Sequence, residues 1–265
     1  MPPIRVVVHG AAGRMGREVI SALCSDSELE AVGAVDVKCQ QDHMALPDGS
    51  GDIPYSRDLE EVLSRCQPDC LVDFTAGDAT MAAARLAAER GVDLVIGTTG
   101  LSPRDIEEVS ALCQRHHVGA VVAPNFSLGA VLMVHMSRVA ARFFDHAEII
   151  EMHHEEKADA PSGTAIATAR AMVEARGRPF TRRPTERETI AATRGGEIDG
   201  VSVHSVRLPG LLAHQEVIVG APGQTLSIRH DAISRESFMP GVVLAIKKVA
   251  EHKELFYGLE KLLGL

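Results

Sequence analysis

The sequence predicts an α/β protein: a doubly wound parallel sheet domain joined to a second, α+β domain with a mixed sheet. Three observations predict it. Up to about residue 125, short β-branched runs alternate with helical patterns. Those runs are continuously apolar, the mark of strands buried on both faces beneath crossover helices. Beyond residue 185 the strand-like segments alternate in character. They are punctuated by Gly195-Gly196, Pro209-Gly210 and Pro222-Gly223, as in antiparallel or mixed pairing with turns.

Taken in order, residues 4–8 (IRVVV) read as the first strand and 14–24 as the helix after it. Residues 29–37 form a second strand, 58–65 a helix, 71–74 a strand, 79–90 an Ala-rich helix and 93–96 a strand. The segment 103–115 opens on Pro103, whose missing N–H costs nothing at the start of a helix, and 118–122 is a further strand. A helix (128–144), a strand (147–152) and a helix (164–176) follow. Strand-like segments then cover 189–193, 201–208, 215–219 and 226–230. Helices at 238–251 and 255–263 close the chain. This divides it into residues 1–126 with 235–265, and residues 127–234.

Aromatic residues make up 3% of the chain and Trp is absent, so the cores must be built from Val, Ile, Leu, Ala and Met. A formal net charge of -9 argues against a nucleic-acid partner or an anionic membrane surface. It leaves an anionic small molecule open, because a local cluster of donors outweighs a distant, screened field. Cys24, Cys39, Cys66, Cys70 and Cys113 lack CxxC spacing and read as reduced thiols. No apolar run reaches membrane-spanning length. A cytoplasmic location is expected.

Between the first strand and its helix lies Gly10-Ala11-Ala12-Gly13-Arg14-Met15-Gly16. Glycines there let the backbone turn tightly and approach a pyrophosphate, whose charge the helix N-terminus favours. A plain βα turn would also use such glycines. Asp36, about twenty residues on at the end of the second strand, is where an acid holds the adenosine ribose hydroxyls in a Rossmann-type dinucleotide site. It favours NADH by repelling a 2'-phosphate; Lys38 offsets this in part. NADH is therefore expected to serve at least as well as NADPH. The loops Gly97-Thr98-Thr99 and Ala123-Pro124-Asn125-Phe126 follow later strands on the ligand-binding edge, and suit the nicotinamide half.

The second domain carries "HHEEKADAPSGTA" at 153–165. Ser162, Gly163 and Thr164 open a helix, where free amides and hydroxyls form a cradle for a carboxylate; a simple N-cap is the commoner role. Lys157 sits on the loop before them as a positive charge or proton donor. His153 and His154 are adjacent, so on an extended strand they face opposite ways. A metal site is not indicated, because His154-Glu155-Glu156-Lys157 lacks the second His of HExxH.

With these residues in view, the chain resembles the 4-hydroxy-tetrahydrodipicolinate (dihydrodipicolinate) reductase family. The likeness runs through "VHGAAGRMGR" (8–17), "VIGTTGL" (95–101), "APNFSLGA" (123–130) and "HHEEKADAPSGTA". It continues through "SVRLPGLLAHQEVIVG" (205–220), "IRHDAISRESFMPGV" (228–242) and "LEKLLGL" (259–265). The resemblance implies hydride transfer from NADH or NADPH to a cyclic conjugated dicarboxylate imine, in lysine and diaminopimelate biosynthesis. It implies Lys157 as proton donor, His153 as acid/base residue and His154 as a substrate contact. Gly163 and Thr164, with Ser162 beside them, would hold a substrate carboxylate. Gly10, Ala11, Ala12, Gly13, Arg14, Met15, Asp36, Gly97, Thr98, Thr99, Ala123, Pro124, Asn125 and Phe126 would hold the cofactor, to which the reading of the residues adds Lys38. Residues 1–126 and 235–265 become the dinucleotide-binding domain, and 127–234 the substrate-binding and oligomerisation domain of a homotetramer.

The sequence departs from the family pattern at two places. Glu155 and Glu156 stand between the histidines and the lysine; facing a dianionic substrate they would repel it, so both are expected to point to solvent. Val37 follows Asp36 where members often carry Arg, which throws the 2'-phosphate question onto Lys38. Two rivals remain on the residues alone. A sugar or amino-acid oxidoreductase of the same plan would not need the Ser-Gly-Thr cradle. A non-catalytic dinucleotide sensor would not keep His153, His154 and Lys157 together.

Overall fold

A computed structural model describes residues 2–265. The chain forms two compact units: residues up to Leu128 together with Phe238–Leu265, and Gly129–Ser237.

In the first unit the order is β1 (Ile4–His9), α1 (Arg14–Ser25), β2 (Leu29–Val35), β3 (His43–Ala45), β4 (Asp52–Ser56) and α2 (Leu59–Cys66). There follow β5 (Cys70–Asp73), α3 (Gly77–Glu89), β6 (Asp93–Ile96), α4 (Pro103–His116) and β7 (Ala120–Val122). The second unit takes α5 (Leu128–Ala141), β8 (His146–His153), α6 (Gly163–Arg176), β9 (Gly196–Ile198), β10 (Val201–Arg207), β11 (Ala213–Ala221) and β12 (Gln224–Ala232). The chain then returns to the first unit as α7 (Met239–Glu251) and β13 (Leu255–Tyr257).

The sheet of the first unit runs β13-β7-β6-β5-β1-β2-β4-β3 and is parallel throughout except for the β3–β4 pair. Between its two edge strands this is the doubly wound dinucleotide-fold order, in which the direction of winding reverses between β1 and β5. Every residue of β5, β6 and β7 is buried, as two-sided coverage requires. α1 buries Gly16, Val19, Ile20 and Leu23, one helical face at i, i+3, i+4 and i+7. α4 begins with a full capping box: Ser102 accepts from the Asp105 amide, and the Asp105 carboxylate accepts from that of Ser102. The predicted α/β class, with its parallel sheet and second mixed sheet, is the one observed.

The second unit's sheet runs β12-β11-β8-β10-β9, with β8 and β10 parallel and the rest antiparallel. Its core gathers Met133, Ile149, Ala169, Met172, Phe180, Val203, Val217 and Val219.

Two sequence expectations fail. Residues 189–193 are turns rather than a strand, with Ala192 in the left-handed region and Ile190 exposed, because no neighbouring surface accepts their apolar face. Residues 255–263 are not a helix. Leu255, Phe256 and Tyr257 pair in parallel with β7, and Gly258, at φ +80°, ends the strand before a short 3-10 turn. The strands β3, β4 and β9 went unread because they are short and largely polar; β3 and β9 lie at sheet edges, and β4 carries Pro54. Among the described residues no helix is long and apolar enough to cross a membrane, and all five cysteines are free thiols.

Candidate active site

In the first unit the loops after β1, β5, β6 and β7 leave from one edge of the parallel sheet. Gly10, at φ +83°, starts the first loop. A Cβ on Gly16 would lie 2.2 Å from the Gly10 carbonyl, so only glycine lets α1 approach the strand this closely. The Gly10 and Ala11 amides donate to the Val35 carbonyl at 2.8 and 3.1 Å, and the Gly13 amide to the Gly10 carbonyl at 3.0 Å. The first-turn amides of Arg14, Met15 and Gly16 have no side-chain cap and no acidic neighbour in that turn, an arrangement that attracts an anion.

Asp36 is buried. One carboxylate oxygen accepts from the Ala12 amide and the other from the Lys38 amide, each at 2.9 Å. The acid thus ties its own turn to the glycine loop, and each oxygen keeps a lone pair for a hydroxyl. Val37 and Lys38 are exposed. A cavity of about 740 Å³ beside them is lined by Ala12, Arg17, Lys38, His43 and Tyr55 among others. Arg17 was not singled out from the sequence. Its position one helical turn beyond Gly13 was the available signal.

Beneath three of these loops lies a second buried carboxylate, Asp73. It receives His9 Nδ1 at 2.6 Å, Thr80 Oγ1 at 2.7 Å, Thr98 Oγ1 at 2.8 Å, and both the amide and the hydroxyl of Thr75. Burial alone would raise this carboxyl, but the His9, Thr80 and Thr98 hydrogen bonds outweigh it and hold it below its ordinary value. Thr98 therefore turns its hydroxyl inward as a brace, so its side chain is taken up within the protein. Gly97 packs under the Phe74 ring, and Phe74 meets Phe126 at 5.7 Å between ring centres. Asn125 accepts from the Ser127 amide at 2.8 Å. Thr99 and Pro124 are exposed; Ala123 and Phe126 are buried.

In the second unit, β8 buries Ala147, Ile149 and Glu151 on one face. Glu151, at 0% exposure, is the polar member of an apolar row. Its carboxylate accepts from His153 Nδ1 at 2.6 Å, from Arg207 through both terminal nitrogens at 2.9 and 2.8 Å, and from the Ser162 amide at 3.2 Å. Burial opposes the charge. The hydrogen bonds from His153, Arg207 and Ser205 nevertheless bring this carboxyl down to about 2. An ionised carboxylate only accepts, so His153 donates from Nδ1, which leaves Nε2 as the acceptor nitrogen of a neutral ring.

The rest of the loop is built on the same anchor. Arg207 also donates to the Asp159 carbonyl at 2.7 Å, while the Asp159 carboxylate pairs with Lys157 Nζ at 2.6 Å. Ser162 is buried and caps α6, its hydroxyl accepting from the Ala165 amide at 3.2 Å. The helix then leaves the Gly163 and Thr164 amides at an N-terminus with no acid in its first turn. A Cβ on Gly163 would meet no atom within 4 Å, so protein packing does not demand glycine there. His154 is half-buried just past the strand, and Glu155 and Glu156 are exposed, as expected. Among the described residues, no group of three or more His, Cys, Asp or Glu side chains could hold a metal ion.

Glu151 and Arg207 escaped the sequence reading. The signal was present in the period-two pattern of β8, which puts an acid two residues before His153 on the same face.

Comparison with known proteins follows the same division. The family model described as dihydrodipicolinate reductase, N-terminus, matches residues 4–126, and that described as its C-terminus matches residues 129–263. The chain is 57% identical to the 4-hydroxy-tetrahydrodipicolinate reductase of Dehalococcoides mccartyi over the full length of both. It is 52% identical to that of Moorella thermoacetica over 98% of each. Among solved structures it is similar to a dipicolinate-bound dihydrodipicolinate reductase from Paenisporosarcina sp. TG-14, with 40% identity, a TM-score of 0.87 and coverage of 98% and 99% of the two chains. Two domain matches in register, full-length identity above half and a shared fold lead to one conclusion: the chain belongs to the dihydrodipicolinate reductase family.

Proposed function

We propose that the protein reduces dihydrodipicolinate, formed from 4-hydroxy-tetrahydrodipicolinate by loss of water, to tetrahydrodipicolinate, with Lys157 as proton donor and His153 as acid/base residue. The observation that carries the residue assignment is the Glu151 cluster. It joins an imidazole with a free Nε2 to the start of a helix suited to a carboxylate, on the loop that bears an ammonium.

Bound NADH or NADPH supplies a hydride to one end of the conjugated imine. The two electrons leave negative charge on the neighbouring carbon, and Lys157 Nζ gives that carbon its proton. His153 Nε2 is the acid/base group that restores a proton to the site after Lys157 has given its own, and His154 contacts the substrate. The Gly163 and Thr164 amides, with the Thr164 hydroxyl, hold one substrate carboxylate; Ser162 supports them chiefly as the cap. The α1 first-turn amides and Asp36 suit a dinucleotide: the former attract the pyrophosphate and the latter accepts from ribose hydroxyls. The backbone at Gly97, Thr98, Thr99 and Ala123–Phe126 positions the nicotinamide half. Lys38, joined by Arg17, moderates the repulsion of a 2'-phosphate by Asp36.

Two further features complete the proposal. The enzyme acts in the cytoplasm, in lysine and diaminopimelate biosynthesis. It works as a homotetramer built on the second unit's sheet, where Ile150, Met152, Ile218 and Leu226 lie outside the buried row. Light scattering of the full-length protein tests the assembly; a monomer would remove it.

The deciding assay mixes freshly made substrate with each reduced dinucleotide in turn and follows the loss of nicotinamide absorbance. Turnover with NADH at least equal to that with NADPH is expected. No turnover with either cofactor would overturn the function, and strict NADPH use would overturn the reading of Asp36.

A further inference from the structure

We propose that Glu151 and Arg207 are positioning residues for the reaction: the buried pair holds the His153 ring with its proton on Nδ1 and fastens the carboxylate cradle to the same anchor. The inference rests on the proposed roles of His153 and the α6 N-terminus.

A stability role does not account for the pair. A buried ion pair is often replaced by apolar side chains of similar volume without loss of stability, because desolvation costs about what the attraction returns. Glu151 lies in a row with Ala147 and Ile149, where an aliphatic residue would continue the core. What the carboxylate does that a methylene chain cannot is accept. His153 approaches it from the end of β8, Ser162 from the cap of α6, and Arg207 from the end of β10.

Each connection has a consequence for a proposed catalytic or binding group. The His153 bond leaves Nε2 as the ring atom open to a ligand. The Ser162 amide bond fixes the residue whose hydroxyl caps α6, and so the direction of the Gly163 and Thr164 amides. The second branch of the Arg207 fork holds the Asp159 carbonyl, one residue from Ala158 in the loop carrying Lys157. Proton donor, acid/base residue and anion cradle thus lean on one carboxylate and its guanidinium. The functions separate by chemistry: Glu151 and Arg207 exchange no proton with substrate, while the groups they hold do.

The test uses the full-length protein in two measurements. In wild type labelled with 15N-histidine, at a pH where the ring is neutral, His153 should carry its proton on Nδ1; a ring protonated chiefly on Nε2 overturns the proposal. In kinetics, Glu151→Met combined with Arg207→Met removes both charges together, leaving no unpaired buried ion. That variant should lose kcat on the order of 10²-fold while the KM for NADH stays as in wild type. Adding His153→Gln to it should cost little more, since residues acting through one another are not additive. Wild-type turnover in the double variant, or losses that simply multiply, assigns the pair to structure alone and overturns the inference. Should the double variant fail to fold, the wild-type tautomer decides. Wild-type protein that reduces no substrate would defeat the proposed function itself, an outcome distinct from an active wild type whose variant is unimpaired.

Discussion

Lys157 is held at 2.6 Å by Asp159, an acid two residues along the same loop, with its side chain only 22% exposed. The pairing fixes the side chain on its loop. Replacing the lysine by alanine should therefore lower kcat by about 10²–10⁴-fold, the usual range for a positioned acid, and leave the KM for NADH nearly unchanged. Steady-state kinetics with both ligands varied checks this. A mutant with near-normal turnover removes Lys157 from the mechanism. Gly163 makes a complementary case. Its Cβ position meets no protein atom, so Gly163→Ala should unfold at the wild-type temperature or slightly above it, as alanine is the better helix former. If a substrate carboxylate approaches that backbone closely, the same change should raise the KM for substrate by about tenfold, equivalent to about 1.4 kcal/mol. Unchanged KM would move the carboxylate elsewhere.

Among the elements, the loops after β1, β5 and β6 behave as a set because Asp73 binds a residue from each: His9, Thr75 and Thr98. The carboxylate sits at the end of β5, beside the point where the sheet's winding reverses, where a dinucleotide fold places its ligand. Thr98→Val keeps the shape and removes the hydroxyl. It should weaken NADH binding by about tenfold, the equivalent of one hydrogen bond to a charged acceptor, and leave kcat at saturating cofactor close to wild type. Calorimetric titration of NADH measures it. Binding as tight as wild type would show that the network stabilises the loops without setting cofactor affinity. The element scale also explains the misread segments. Residues 255–257 are too few to declare a strand until β7 offers them an edge. Residues 189–193 have a strand's alternation but find no sheet to join.

For the whole molecule, the two buried carboxylates make a prediction about acid. Glu151 ionises near 2 in the folded protein, against 4.5 for the free side chain. A group whose folded value is depressed contributes stability above its unfolded value and loses it as pH falls through the folded one. Its pH-dependent contribution should be complete above pH 4.5 and vanish as pH approaches 2. Asp73 shifts in the same direction and adds to the loss. Denaturant unfolding followed by circular dichroism should show stability falling over that window. In the Glu151→Met, Arg207→Met variant the part due to Glu151 should disappear from the slope. An equal slope would mean that the carboxylate is not depressed.

The sequence by itself determined the α/β class, most of the elements and the chemical inventory of the site. Apolar periodicity, glycine spacing, helix starts and the order of a histidine pair, a lysine and Ser-Gly-Thr are local properties, written within a few residues of one another. It could not determine which polar groups face inward. The Thr98 hydroxyl points at Asp73, and Ser162, for which cap and ligand contact were both open, caps a helix and binds Glu151. Glu151 and Arg207 stand 56 residues apart, and only the parallel pairing of β8 with β10, which sets Arg207 opposite His153, brings them together. Tertiary structure decided these matters because a buried charge must find its partners wherever the fold puts them, and strand pairing obeys no rule of sequence distance.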